Sequence, residues 1–364
     1  MDLKFSGFKK MTLKFSKEKK IKIAISGCGK ISKNHLEAIS TLKDFFQLIA
    51  VCDISQENLN NISKSYKVKC YTDFEEMISK EELDLVTICT PSGIHPAQTK
   101  LAAKKNINVI TEKPMATNLY DGLQMVRSCS ENNVKLFVVK QLRLNPTFQQ
   151  LKKAIQDKRF GKVYISQINV FWTRPQSYYN ESGGWRGTRD MDGGALMNQA
   201  SHYIDLLYWL LGPVKTVSAF AKTHRDIEME DTAVLNFDCS SGAIAGMSVT
   251  MLTYPQNLES SITILGEKGS VKITGPSANI VETWKFDDQK EYDHFMINNV
   301  MSKDKKNTSG HEKYYLNVYD ALNENDEPIS DGNQGLKSLK ILDAAYKSIE
   351  NGSMEKINLE EVNE

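Results

Sequence analysis

The chain has 364 residues, 40% hydrophobic and 25% charged, with a formal net charge of +1. That length predicts two domains with proper cores. The balanced charge gives no electrostatic case for nucleic acid or a charged membrane surface, and no apolar run approaches the roughly 18 residues needed to cross a bilayer.

Residues 1–19 form a lysine-rich tail without the apolar stretch of a secretory signal, and Met11 offers a second start site. The tail is expected to be poorly ordered and the protein cytoplasmic. Cys28, Cys52, Cys70, Cys89, Cys129 and Cys239 include no Cys-x-x-Cys pair, and several fall in strand patterns. They read as buried free thiols of a reducing compartment, and no His or Cys spacing suggests a metal.

Ile21, Ile23 and Ile25 alternate with Lys22 and Ala24, as a packed strand requires. Gly27-Cys28-Gly29-Lys30-Ile31-Ser32 follows, and a helical pattern begins after Lys30. Strand, glycine turn and helix together cradle a dinucleotide pyrophosphate. The position of a third glycine is Ser32, small enough for close helix–strand packing. The turn alone is compatible with an ordinary strand–helix connection. The strand Gln47–Cys52, however, ends at Asp53, placed to accept both hydroxyls of a ribose. Ile54 and Ser55 bring no cation for a 2′-phosphate, so the expected cofactor is NAD rather than NADP.

Helices are predicted at Gln56–Tyr66, Asp73–Ser79, Pro96–Lys104 and Leu119–Glu131, and strands at Val68–Tyr71, Leu85–Thr90, Ile107–Thr111 and Val134–Val139. The alternation predicts a doubly wound parallel sheet of the Rossmann type over residues 20–140. Thr90-Pro91-Ser92-Gly93-Ile94-His95 and Glu112-Lys113-Pro114 follow two strand ends, where such sheets bind ligands. Thr90, Pro91, Ser92, His95, Glu112 and Lys113 are therefore candidate cofactor contacts, together with Gly27, Cys28, Gly29, Lys30, Ile31 and Asp53.

Residues 141–364 read as a second, α/β domain. A crossover segment, Leu142 to Pro146, leads to a helix at Phe148–Asp157. Strands are predicted at Val163–Trp172, Val214–Lys222, Thr232–Asp238, Ala243–Met251, Ser261–Leu265 and Ser270–Thr274. They alternate apolar and polar residues, so an open, mostly antiparallel sheet is expected, with one face left for another subunit. Phe286–Lys306 reads as a surface loop, and amphipathic patterns at His311–Asn323 and Gly335–Ile349 close the chain.

Between these strands lies Asp192-Gly-Gly-Ala-Leu-Met-Asn198-Gln-Ala-Ser-His202-Tyr-Ile-Asp205, continuing to Gly212-Pro213. Leu196, Ala200, Tyr203, Ile204 and Leu207 give a helical period. Asn198, His202 and Asp205 then form one polar stripe on an apolar helix, and a buried polar stripe needs partners. Arg143 and Arg186 are candidates for a substrate carboxylate or diphosphate, and Tyr178, Tyr179 and Trp185 for stacking on a ring, although packing explains each of them as well.

From about Lys20 onward the chain resembles the Gfo/Idh/MocA family of glucose–fructose oxidoreductase and inositol dehydrogenase. The resemblance rests on the glycine turn, Asp53, Thr90 to His95, Glu112-Lys113-Pro114 and the Gly193–Asp205 helix. It implies a Rossmann domain plus an α/β domain whose open sheet forms homodimers or homotetramers. It also implies a catalytic lysine with an Asp and a His four residues apart, here Lys113, Asn198 and His202. Asn in place of Asp removes proton relay at that position, because an amide is no base. The Asn-x-x-x-His pair, with Trp185-Arg186-Gly187, is similar to the family's nucleotide-sugar branch, which oxidises the 3-hydroxyl of UDP-N-acetylglucosaminuronate for surface glycans. The resemblance thus implies an NAD-dependent dehydrogenase acting on CH–OH, with Lys113, His202 and Asn198 catalytic and Arg143, Trp185, Arg186, Asn198 and His202 meeting substrate. It leaves open whether Lys113 or His202 is the base. A free sugar or inositol dehydrogenase, a non-catalytic NAD-binding regulator and an NAD-dependent glycoside-cleaving enzyme are the other readings.

Overall fold

The structure, a computed structural model, describes residues 20–181, 183–298 and 310–358. The lysine-rich tail and the end of the expected loop after Phe286 lie outside the described residues.

The first layer runs β1 (Ile21–Ser26), α1 (Ser32–Thr41), β2 (Phe46–Cys52), α2 (Gln56–Ser65), β3 (Lys69–Tyr71), α3 (Phe74–Lys80), β4 (Leu85–Ile88), α4 (His95–Lys104), β5 (Asn108–Thr111), α5 (Leu119–Glu131) and β6 (Leu136–Val138). The sheet order is β3-β2-β1-β4-β5-β6, with every pairing parallel. Polar caps start most of the helices: the side chains of Ser55, Asp73 and Asn118 accept the N–H groups of Asn58, Glu76 and Asp121. At α1, Ile31 stands in the cap position with no side-chain cap. Its first N–H groups are left to whatever occupies the carboxyl end of β1.

The second layer contains α6 (Pro146–Gln156), β7 (Val163–Phe171), α7 (Gln176–Asn180), a π-helical turn at Ala195–Ala200, α8 (Ser201–Leu211), β8 (Val214–Lys222), β9 (Thr232–Cys239), β10 (Ile244–Thr250), β11 (Glu259–Gly266), β12 (Gly269–Thr274) and β13 (Ile280–Phe286). After it come α9 (Asp293–Asn298), α10 (His311–Leu322), α11 (Gly332–Asn351) and β14 (Glu355–Lys356). The eight-stranded sheet has the order β13-β12-β11-β7-β10-β9-β8-β14. β7 and β10 pair in parallel, and the other pairs are antiparallel. The period-2 pattern turns Leu235, Phe237, Met247 and Val249 inward, while Phe220, Val234 and Ile244 stay exposed on β8, β9 and β10.

Sequence pattern missed α7, α9, β13 and β14. The stretch read as a loop after Phe286 contains α9, whose Asp293 is buried. It accepts hydrogen bonds from Arg159 Nη2 at 2.7 Å and Trp284 Nε1 at 2.8 Å. The six cysteines are free, and Cys70 alone among them is exposed.

The C-terminal helices return to the first layer. Tyr314, Tyr315 and Val318 of α10 join a core with Ile23, Leu36 and Phe46, and α11 packs on α5, α8 and β8. A buried ion cluster joins the two layers. Arg143 donates to both carboxylate oxygens of Asp205, Nε to Oδ2 at 2.8 Å and Nη2 to Oδ1 at 2.7 Å. Ser338 Oγ donates to Asp205 at 3.0 Å, and Lys140 Nζ lies 3.5 Å from the same oxygen. Arg143 is 2% exposed and also holds the Ile329 carbonyl and Gln334. This corrects two expectations: Arg143 is a structural tie with no donor to spare for substrate, and Asp205 leaves the polar stripe to serve it.

Asp205→Ala strands two buried cations, and losing one partner of a buried pair costs about 3–5 kcal/mol. The variant should unfold at a clearly lower urea concentration than wild type; an unchanged midpoint contradicts this role for Asp205.

Candidate active site

The dinucleotide turn is built by close approach. Gly27 has φ +89°, and a Cβ on it would stand 2.5 Å from the Cys89 carbonyl carbon, so only glycine fits. A Cβ at Gly29 would meet no protein atom within 4 Å. The space beside Gly29 is open, as a pyrophosphate lying on the turn requires. Asp53 braces the turn by accepting from Cys28 N at 2.6 Å, while its other oxygen accepts from Ser55 N at 2.7 Å. Ser32 is more than a small substitute for glycine: it is fully buried and donates to the Gly29 carbonyl at 2.7 Å. Lys30 is exposed and Ile31 half-buried at the helix start, and Ile54 beyond Asp53 is 94% exposed. These residues fit the phosphates, ribose and adenine edge of NAD.

The loops after β4 and β5 are tied to each other. His95 is fully buried, with Nδ1 3.0 Å from the Pro114 carbonyl and Nε2 2.8 Å from the Thr90 carbonyl. It is a loop pin rather than a cofactor contact, since both ring nitrogens face protein. Ser92 is also buried, Thr90 Oγ1 donates to Gln98 at 3.1 Å, and Pro91 opens the short turn between them.

Glu112 is turned inward as well. Its Oε1 lies 3.0 Å from His35 Nε2 and 3.7 Å from His311 Nε2, and its Oε2 accepts from the Lys113 backbone N–H at 2.9 Å. Burial opposes its charge, but the His311 and His35 imidazoles outweigh burial and hold the carboxyl well below the usual range. Burial keeps His35 neutral. The network is satisfied when His35 donates to Glu112 and accepts from the Tyr315 hydroxyl, 2.9 Å away. Glu112 therefore supports the lysine loop from beneath instead of meeting the cofactor.

Above that loop, Lys113 Nζ donates to the Asn198 carbonyl at 2.8 Å and lies 3.4 Å from Asn198 Oδ1. The Asn198 amide nitrogen donates to Asp192 Oδ1, and Asp192 Oδ2 accepts from Gly187 N at 2.8 Å. Asp192 thus orients the amide so that its oxygen faces the lysine. The predicted helix is in fact a π-turn over Ala195–Ala200 followed by α8, and such turns concentrate at functional sites. His202, one turn further on, is half-buried and has no hydrogen-bond partner among the described residues. Burial first, and the Lys113 ammonium second, hold its pKa well below the ordinary value. Burial also lowers the Lys113 pKa, against the opposing charges of Glu112 and Asp192. The site therefore holds the Lys113 amine, donating to Asn198, near an imidazole with no hydrogen-bond partner among the described residues.

A family model described as "Oxidoreductase family, NAD-binding Rossmann fold" matches residues 21–140, and one for the same family's "C-terminal alpha/beta domain" matches 152–359. The chain belongs to the Gfo/Idh/MocA oxidoreductase family. It is 44% identical to the WlbA dehydrogenase of Bordetella pertussis, solved in complex with NADH and UDP-GlcNAcA, with TM-score 0.86 over 93% of this chain and 99% of that one. It is also 44% identical to the WlbA dehydrogenase of Chromobacterium violaceum in the same complex, with TM-score 0.88 over 94% and 97% of the two chains. The inositol 2-dehydrogenase of Rhizobium meliloti is 26% identical over 347 residues, 90% of this chain and 97% of that protein.

Within this family site, Trp185 and Arg186 stand near the Asp192 turn. Arg186 donates to the Tyr178 carbonyl at 3.2 Å, and its guanidinium lies 4.2 Å from the centre of the Tyr178 ring and 5.0 Å from that of Trp185. Tyr178, Tyr179, Asp192, Asn198, Gln199 and Glu230 line one cleft. Reading the sequence missed Asp192 and Gln199. Both flank Asn198 in the same motif, so their nearness to the site was the available signal.

Two predictions follow from this geometry. Gly29→Ala should fold with wild-type thermal stability yet bind NADH at least about tenfold more weakly, whereas Gly27→Ala should also lose stability; calorimetry and NADH titration separate the two effects. Burial lowers the pKa values of His35, His95 and His202 from 6.5. Unfolding lets these groups take up protons below that value, so their contribution is complete above about pH 6.5 and is lost as pH falls beneath it. The melting temperature should drop on acidification from about pH 7.5 to about 5.5, and less steeply in His35→Gln.

Proposed function

We propose that this protein is an NAD-dependent dehydrogenase of nucleotide sugars that oxidises the 3-hydroxyl of UDP-N-acetylglucosaminuronate, in the biosynthesis of surface glycans. The observation that carries the reading is the meeting of Lys113 with Asn198, one turn from a neutral His202. The WlbA enzymes solved with NADH and UDP-GlcNAcA supply the substrate class.

NAD⁺, bound along the glycine turn, supplies the hydride acceptor. His202 takes the proton of the substrate hydroxyl, since its imidazole is neutral and unoccupied. Lys113 stays protonated on two oxygens of Asn198 and donates to the alkoxide as it develops. Asn198 positions that ammonium and takes no proton itself. This division of roles makes His202 the base and Lys113 the electrostatic partner. A regulator that only senses NAD needs neither group.

The uncovered face of the large sheet carries Phe220, Val234 and Ile244, which are 70%, 46% and 58% exposed. Exposed apolar groups on a paired sheet suit a subunit contact, so the protein is expected to be a homodimer or homotetramer. A cytoplasmic location accords with this substrate, and none of the described helices is long and apolar enough to cross a membrane.

Lys113→Met and His202→Asn should each lower kcat by about 10²–10⁴-fold, measured as NADH formation from UDP-N-acetylglucosaminuronate and NAD⁺. Turnover within a few-fold of wild type in either variant removes that residue from the mechanism. Faster oxidation of free inositol or free sugars than of UDP-sugars removes the nucleotide-sugar reading.

A further inference from the structure

Among the described residues, carboxylate partners are seen for Arg127 (Glu131), Arg143 (Asp205), Arg159 (Asp288 and Asp293) and Arg189 (Glu228 and Glu350). Arg174, half-buried in the turn after β7, has none among the described residues. Its position is nonetheless built. The backbone N–H donates to the Met251 carbonyl at 2.9 Å. The guanidinium lies 5.3 Å from the centre of the Trp172 ring and 5.3 Å from that of Tyr178. Nη1 donates to the Thr173 carbonyl at 2.8 Å and Nη2 to Gln199 Oε1 at 3.2 Å.

Rings near a guanidinium hold its faces and leave its hydrogens pointing outward in the plane. Two of the five N–H groups are engaged here, and the others have no acceptor among the described residues. Tyr178 and Gln199 line the cleft that contains Asn198 and Asp192. Arg174 is also near enough to Lys113 for its charge to add to burial in lowering the lysine's pKa. A half-buried cation held this rigidly beside the reacting groups, with no carboxylate partner among the described residues, is arranged to receive one from a ligand. A planar fork suits a planar carboxylate.

We propose that Arg174 binds the carboxylate of the substrate's sugar ring and makes the site selective for uronic acids over neutral sugars. The proposal rests on the nucleotide-sugar reading above and names the group that reads the acid. Lys113 meets an oxygen of the same six-membered ring, whereas the diphosphate lies beyond the glycosidic carbon, towards the nucleotide.

The test is calorimetric titration of the NADH-bound enzyme with three probes: UDP-N-acetylglucosaminuronate, UDP-N-acetylglucosamine, which lacks the carboxylate, and UDP. In Arg174→Gln the uronate should bind about 10–100-fold more weakly, as loss of a hydrogen-bonded charge pair implies. The neutral sugar nucleotide and UDP should stay within about twofold of wild type, and Arg174→Lys should recover part of the uronate affinity. Unchanged NADH affinity shows that the variant is folded; if Arg174→Gln does not fold, Arg174→Lys is compared alone, and equal weakening of acidic and neutral probes there overturns the proposal. Equal weakening of all three probes in Arg174→Gln assigns the guanidinium to the diphosphate and also overturns it, as does unchanged uronate affinity. Should wild type itself neither bind nor oxidise the uronate, the underlying function fails, a result distinct from a wild type that binds it without help from Arg174.

Discussion

One hydrogen bond makes the two layers into a single site: Lys113 Nζ to the Asn198 carbonyl, 2.8 Å. The lysine comes from the loop after β5 and the carbonyl from the π-turn before α8. Both ends of the bridge are held by groups that touch no reacting atom. Glu112 accepts the lysine's own backbone N–H while two imidazoles fix its carboxylate, and Asp192 holds the Asn198 amide. The position of the ammonium thus follows from supports beneath and above it. Such support is what catalysis by pre-positioned charge requires.

The charges around this bridge are arranged by burial. Lys140 and Arg143 share Asp205, and the two cations outweigh burial to keep that carboxylate ionised. Asp192 is pushed the other way: burial raises its pKa, against the hydrogen bonds from Gly187 and Asn198 and the Lys113 charge. The imidazoles of His35, His95 and His202 respond to the same burial with lowered pKa values. His202 differs from His35 and His95 in that no protein group among the described residues occupies its ring nitrogens. A neutral histidine beside an ammonium can take a proton without first losing one.

The C-terminal helices connect the site to the rest of the molecule. α10 brings His311 against Glu112 and packs Tyr314 and Tyr315 into the Rossmann core. α11 carries Ser338 to Asp205 and packs on α5 as well as β8. The last elements of the chain therefore complete the core of its first half, and the lysine loop depends on residues some 200 positions away, as the Glu112–His311 contact illustrates.

Local pattern along the chain was enough for the strands and helices of the Rossmann layer and for the glycine turn with Asp53. Each depends on steric rules with a reach of a few residues: alternation in a strand, the period of a helix, the free Cα of Gly27. The same patterns misjudged Arg143, His95 and Glu112, placing all three against ligand when they face protein, and they passed over Asp192 and Arg174. No local rule separates a guanidinium that meets Asp205 from one whose counter-ion must come from outside. That distinction is made when distant elements pack, because burial decides which charges are already paired and which are left facing the cleft.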